Sequence, residues 1–100
     1  MAVYAVALIN IADRAGYARY EEGFMNIFAQ HAGRILAVDE APVVKEGEWK
    51  YTRTVLIEFP DAQALDGWYH SAAYQQLAQH RFESSSASIA VIKGPPGAAG

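Results

Sequence analysis

Asp66 and His70 stand four residues apart. On a helix that spacing puts both side chains on one face, where a carboxylate can orient an imidazole as a general base. A solvated surface pair has the same spacing. Arg53 is a second candidate. A lone guanidinium at the edge of an apolar pocket can clamp a carboxylate or enolate through two parallel N–H groups. Glu46, Glu48 and Glu58 offer it a structural ion pair instead. Arg81 admits the same two readings. Trp49, Trp68, Tyr17, Tyr20 and Tyr74 are core candidates by residue type. A buried hydroxyl or indole N–H still needs a partner, so the same rings could wall a ligand cavity. His31 and His80 read as helix-end residues.

Other chemistries find no support. No two histidines and a carboxylate show metal-ligand spacing, so neither a metal nor a cofactor is expected. There is no glycine-rich phosphate loop and no nucleophile elbow; Gly94-Pro95-Pro96-Gly97 leads into no helix. The chain has no cysteine, which excludes a disulfide framework and thiolate chemistry. A net charge of -3 with no Lys/Arg cluster offers nucleic acid no basic field. The apolar run from Ala2 to Ile9 is too short to span a membrane and lacks a signal peptide's charged start. A cytosolic protein without membrane or nucleic-acid partners is the expectation.

These residues need elements to position them. Arg53 to Phe59 (RTVLIEF) is β-branched and aromatic, the composition of a strand. Alternation sends Arg53, Val55, Ile57 and Phe59 one way and Thr54, Leu56 and Glu58 the other. Pro60 ends the strand, and Asp61 fits a helix N-cap. Ala62, Leu65, Trp68 and Tyr69 then recur at helical spacing. Ser71 caps a second segment, in which Tyr74, Leu77 and Ala78 continue the apolar face to about Arg81.

Earlier in the chain, Val3 to Ile9 is apolar on both alternating faces, as in a covered central strand. Asp13 opens an amphipathic helix of about five turns, with Tyr17, Tyr20, Phe24, Ile27 and Phe28 on one side. Gly33 reads as its left-handed C-cap, with His31 in the last turn. Arg34 to Glu40 is a second strand. Ala41 to Lys50 is a long connection with a possible short strand at Val43-Val44. Ser84 to Ser88 is a polar connection and Ile89 to Ile92 the last strand. The expected organisation is one domain, residues 1–94, and a disordered tail, 95–100.

The order is β-α-β followed by β-α-β. Right-handed crossovers then give an α+β ferredoxin-like sandwich, a four-stranded antiparallel sheet of order 4-1-3-2 with helices on one face. One apolar face of the sheet, Val3/Ala5/Ala7/Ile9 or Tyr4/Val6/Leu8, stays uncovered. A second copy in a twofold homodimer is its simplest cover.

The chain resembles the DUF1330 family of the dimeric α/β-barrel superfamily. Glu46-Gly47-x-Trp49 carries the resemblance, with Arg53, Val55-x-x-Glu58-Phe59-Pro60 and Ala64-x-x-x-Trp68-Tyr69-x-Ser71-x-x-Tyr74-Gln75. Tyr17-x-x-Tyr20, Arg81 and Lys93-Gly94 also fit. Ser71-Ala72-Ala73-Tyr74 stands where family members often carry Ser-Pro-Glu-Tyr. The resemblance implies the ferredoxin-like fold and a dimer, in a family of uncharacterised function. Its wider superfamily includes small monooxygenases, isomerases and lactone-processing enzymes, an analogy at the level of fold. Two functions follow as expectations. One is a cofactor-independent enzyme acting on a small apolar acid or ring-containing metabolite. The other is a non-catalytic dimeric domain that binds such a molecule. In both, Tyr17, Tyr20, Trp68, Tyr74, Trp49 and Arg53 wall the pocket.

Overall fold

The computed structural model describes residues 1–96. Within the expected tail, residues 97–100 lie outside the described residues. Seven elements follow in order: β1 (Val3–Ile11), α1 (Arg14–Phe28), β2 (Arg34–Asp39), β3 (Arg53–Phe59), α2 (Ala62–Tyr69), α3 (Ala72–Ser84) and β4 (Ser85–Lys93). The sheet runs β2-β3-β1-β4 with every neighbouring pair antiparallel. This is the expected 4-1-3-2 order and the ferredoxin-like α+β fold.

Alternation along β1 decides which face is inside. Val3, Ala5, Ala7 and Ile9 are buried in one cluster with Ile57 and Phe59 of β3 and the aromatic faces of the helices. Tyr4, Val6 and Leu8 project from the opposite face and are only half-buried. They pair across the strands with Glu58, Leu56 and Thr54 on β3 and with Ile92, Ala90 and Ser88 on β4. The core therefore lies over the two central strands. Both edge strands are largely exposed. A register shift between Ile35 and Ala37 turns Ile35 and Val38 to the helix-covered side, aligned with Ile57 and Val55.

The caps at the start of each helix follow the sequence. Asp13, Asp61 and Ser71 accept from the amides of Gly16, Ala64 and Tyr74. Ser71 breaks the helical run without a following proline, because its hydroxyl and extended backbone restart the amide ladder.

Other boundaries differ. α1 stops at Phe28, about one turn short of the expected length, and His31 falls in the turn beyond it. Among the described residues only Gly47 has a positive φ, so Gly33 is not a left-handed cap. Its glycine serves close packing. A Cβ there would sit 2.5 Å from Phe59 Cζ and 2.6 Å from Phe28 Cζ. Val43-Val44 forms no strand; Val43 is the most exposed large apolar side chain described. Ser84 to Ser88 is no connection either. α3 runs to Ser84 and β4 begins at Ser85, since edge pairing with Ile9, Asn10 and Ile11 extends the strand into the serines.

Gly33→Ala is expected to destabilise the fold by about 1–3 kcal/mol through overpacking. That exceeds the ~0.4–1 kcal/mol gained by stiffening the unfolded chain. The urea midpoint measures the balance, and an unchanged or higher midpoint would show that the two phenyl rings step aside.

Candidate functional site

A cavity of about 470 Å³ lies between the helix-covered side of the sheet and the helices. Its floor explains why it exists. Ala5 and Ala7 occupy the centre of β1, where branched side chains would fill the space beneath the rings. Tyr17, Tyr20 and Phe24 reach it from α1 at steps of three and four, one face of a helix. Leu65 and Trp68 come from α2. On α3, Tyr74, Ala78 and Arg81 share the buried face, and Tyr74 and Arg81 line the cavity.

Eight of the candidates therefore meet in one place: Tyr17, Tyr20, Arg53, Asp66, Trp68, His70, Tyr74 and Arg81 all line the cavity. Trp49 does not. It sits in the connection before β3, 41% exposed, with its ring edge-on to Tyr51 at 5.5 Å. β3 begins only at Arg53, so nothing turns Trp49 toward the helices. Phe24, Tyr69 and the alanine floor also line the space but were not singled out from sequence. Phe24 could have been, since it lies on the Tyr17/Tyr20 face.

The Asp66–His70 geometry is looser than helical spacing implied. His70 is the C-cap of α2, with φ -91 and ψ 4, and its backbone N–H donates to the Asp66 carbonyl at 2.9 Å. No hydrogen bond or ion pair joins the two side chains among the described residues. The backbone bond has helical spacing and both residues line the cavity, so they share a side of α2 without being joined.

Arg53 finds partners, but not the expected ones. Its Nη1 donates to Glu40 at 3.1 Å and its Nη2 lies 3.4 Å from Glu21. Arg14 also binds Glu40, at 2.8 Å. Glu58 points to the other side of β3 and pairs with Arg34 at 2.7 Å. Arg53 Cζ lies 5.8 Å from the Tyr17 ring centre. Hydrogen bonds from Arg14 and then Arg53 hold the Glu40 carboxyl below its ordinary value of 4.5.

The sign follows from that depression. The contribution of Glu40 to stability is complete above its unfolded pKa and is lost as pH falls through the lowered folded value. Glu40→Gln should therefore flatten the fall in melting temperature below about pH 4.5. A variant with the same acid limb as the parent would show that the network does not stabilise the fold.

Arg81 is different. It is 4% exposed, makes no ion pair, and its Nε and Nη2 have no hydrogen-bond partner among the described residues. Its Cζ lies 5.8 Å from the Tyr20 ring centre and 4.8 Å from that of Phe82. Burial opposes its charge, but the neighbouring Tyr74 and Tyr20 oxygens outweigh that and raise its pKa. Tyr20 and Tyr74 share a buried hydrogen bond of 2.7 Å between their hydroxyls. Burial first, then Tyr74, pushes the Tyr20 pKa far upward; burial also raises that of Tyr17. The Tyr17 and Tyr20 hydroxyls therefore stay protonated at neutral pH. Trp68 Nε1 is a further buried donor without a partner among the described residues.

Solved structures share this fold. The RPA0582 protein of unknown function from Rhodopseudomonas palustris superposes with a TM-score of 0.78 at 14% identity, over 94% of this chain and 82% of that one. SnoaB, a cofactor-independent oxygenase from Streptomyces nogalater, gives 0.70 at 10% identity, over 94% and 93%. A dimeric ferredoxin-like protein of unknown function from Jannaschia sp. gives 0.70 at 15% identity, over 94% and 100%. These likenesses carry the fold alone. No curated protein matches the sequence. No helix among the described residues is long and apolar enough to cross a membrane. The family described as "Domain of unknown function (DUF1330)" matches residues 2–95, so the chain belongs to the DUF1330 family.

Proposed function

We propose that this protein is a small enzyme that works without a cofactor on a ring-containing, largely apolar acid held between sheet and helices. The observation that carries this reading is the polar cluster set in an otherwise aromatic wall. Tyr20 and Tyr74 are paired at 2.7 Å, are buried and line a cavity of ligand size. Buried hydroxyls held in place are suited to donate to an oxygen that gains charge. His70 lines the same cavity and is the group available to move a proton. The reaction class is proton abstraction next to a carbonyl. Likeness of fold to a cofactor-independent oxygenase supports it as analogy.

The test is α-proton exchange. Enolisable ring acids incubated with the protein in D2O should lose their α-proton signal by NMR. His70→Ala should slow that exchange by about 10²–10⁴-fold, the usual contribution of a general base. A second reading is a non-catalytic binding domain. The lack of any side-chain bond from Asp66 to His70 favours it, because a base with no orienting partner is poorly poised. Binding of such acids without exchange would establish the second reading and remove the first.

The proposal includes a twofold homodimer through the sheet face that carries Tyr4, Val6 and Leu8. Its support is the apolar character of that face, which no helix covers, and the dimeric state of ferredoxin-like neighbours from Jannaschia sp. and Bacteroides fragilis.

A further inference from the structure

Two arginines line the cavity, and their charges are in different states. Arg53 is held by Glu40 and Glu21, so its charge is already matched by carboxylates. Arg81 has no carboxylate partner among the described residues, although it is more deeply buried. A buried guanidinium without counter-charge is costly. The aromatic faces of Tyr20 and Phe82 offset only part of that cost.

The groups near Arg81 include a donor as well. The Tyr20–Tyr74 pair contains two hydroxyl protons and uses one between the oxygens, which leaves one to donate outward. Trp68 also lines the cavity, and its buried Nε1 can donate but not accept. The Tyr74 and Tyr20 oxygens lie beside the guanidinium, but among the described residues no carboxylate matches its charge. The complement is an oxygen anion whose charge is permanent.

We propose that Arg81, together with the Tyr20–Tyr74 hydroxyl pair, is the recognition site for a carboxylate on the ligand. The carboxylate meets the guanidinium where it lines the cavity, and the ligand's apolar body lies against the Ala5/Ala7 floor. Arg53 stays with Glu21 and Glu40 and does not clamp the anion. This assignment deepens the reading under Proposed function and rests on its cavity, but not on turnover.

Calorimetric titration with naphthalene-2-carboxylate and its neutral analogue naphthalene-2-methanol tests it. The parent protein should bind the carboxylate about 10- to 100-fold more tightly, the range for hydrogen bonds to a charged group. Arg81→Met should erase that preference and leave the alcohol's affinity unchanged, while Arg53→Met should retain the preference. If Arg81→Met fails to fold, Tyr20→Phe and Tyr74→Phe decide. Each keeps its ring and should weaken the carboxylate several-fold without affecting the alcohol; unchanged carboxylate affinity in both overturns the site. Equal affinity of the parent for both probes overturns the carboxylate site but leaves the cavity reading standing. A preference lost in Arg53→Met and kept in Arg81→Met overturns it in favour of Arg53. Failure of both probes to bind removes the cavity reading, and this site with it.

Discussion

Trp68→Ala is expected to lower the free energy of unfolding by about 3–5 kcal/mol, the cost of deleting a large buried ring. The indole is 4% exposed. It stacks on Phe59 at 5.5 Å, lies 4.3 Å from Tyr74, and meets Phe28 edge-on at 5.5 Å. Those contacts join α2 to β3, α3 and α1, so one truncation loosens four elements at once. Small domains have roughly 5–15 kcal/mol of stability in total. The variant should therefore unfold at much lower urea and be partly unfolded at physiological temperature. The indole also lines an existing cavity, and neighbours on that side can relax toward the gap, which favours the lower end of the range. Trp68→Phe keeps a ring against Phe59 and should retain most of the stability. A loss under about 1 kcal/mol in Trp68→Ala would mean that the ring is a cavity wall and not a structural hub.

That hub shows why the fold was legible in the sequence. Asp61 after Pro60, then Leu65 and Trp68 on one helical stripe, and Ser71 restarting the helix are local signals. Each is decided within a few residues by amide satisfaction and side-chain direction. The sheet order followed from the same elements by handedness. The misreadings share a cause in long-range contact. Gly33 is small because Phe28 and Phe59 meet over it, and Phe59 is distant in sequence. Ser85 to Ser88 form a strand only because β1 offers them an edge, whereas their composition alone reads as a connection.

The site was legible in part for the same reason. Helical stripes brought Tyr17, Tyr20, Trp68, Tyr74 and Arg81 to one space. Charge partners are set by three-dimensional neighbours, and there the sequence could not choose. Arg53 was open to Glu46, Glu48 or Glu58, yet it meets Glu21 and Glu40 because α1 and the end of β2 converge at the start of β3. Arg81 was equally open and meets no carboxylate among the described residues. What separates the two arginines is burial and counter-charge, neither of which a residue type records.

Val6→Asp is expected to abolish the proposed dimer while leaving the subunit folded. Val6 lies at the middle of the uncovered face, opposite Leu56 on β3 and Ala90 on β4 and between Tyr4 and Leu8 on its own strand. In an isolated subunit this position is partly exposed on the open face, so a carboxylate there can reach solvent and costs the fold little. In a twofold dimer through the same face, each copy contributes one carboxylate to the closed apolar centre. Burying an unpaired ion costs several kcal/mol, and there are two of like sign. That is a large share of the ~8–12 kcal/mol of a micromolar to nanomolar association. Sedimentation at micromolar concentration should then move from twice the chain mass of 10.9 kDa to that mass itself, with the circular dichroism spectrum unchanged. Val43→Asp, on the 81% exposed residue of the connection before β3, adds the same charge away from the sheet and should leave the dimer intact. A Val6→Asp protein that still sediments as a dimer would place the interface on some other surface. The apolar row of Tyr4, Val6 and Leu8 would then need a different cover.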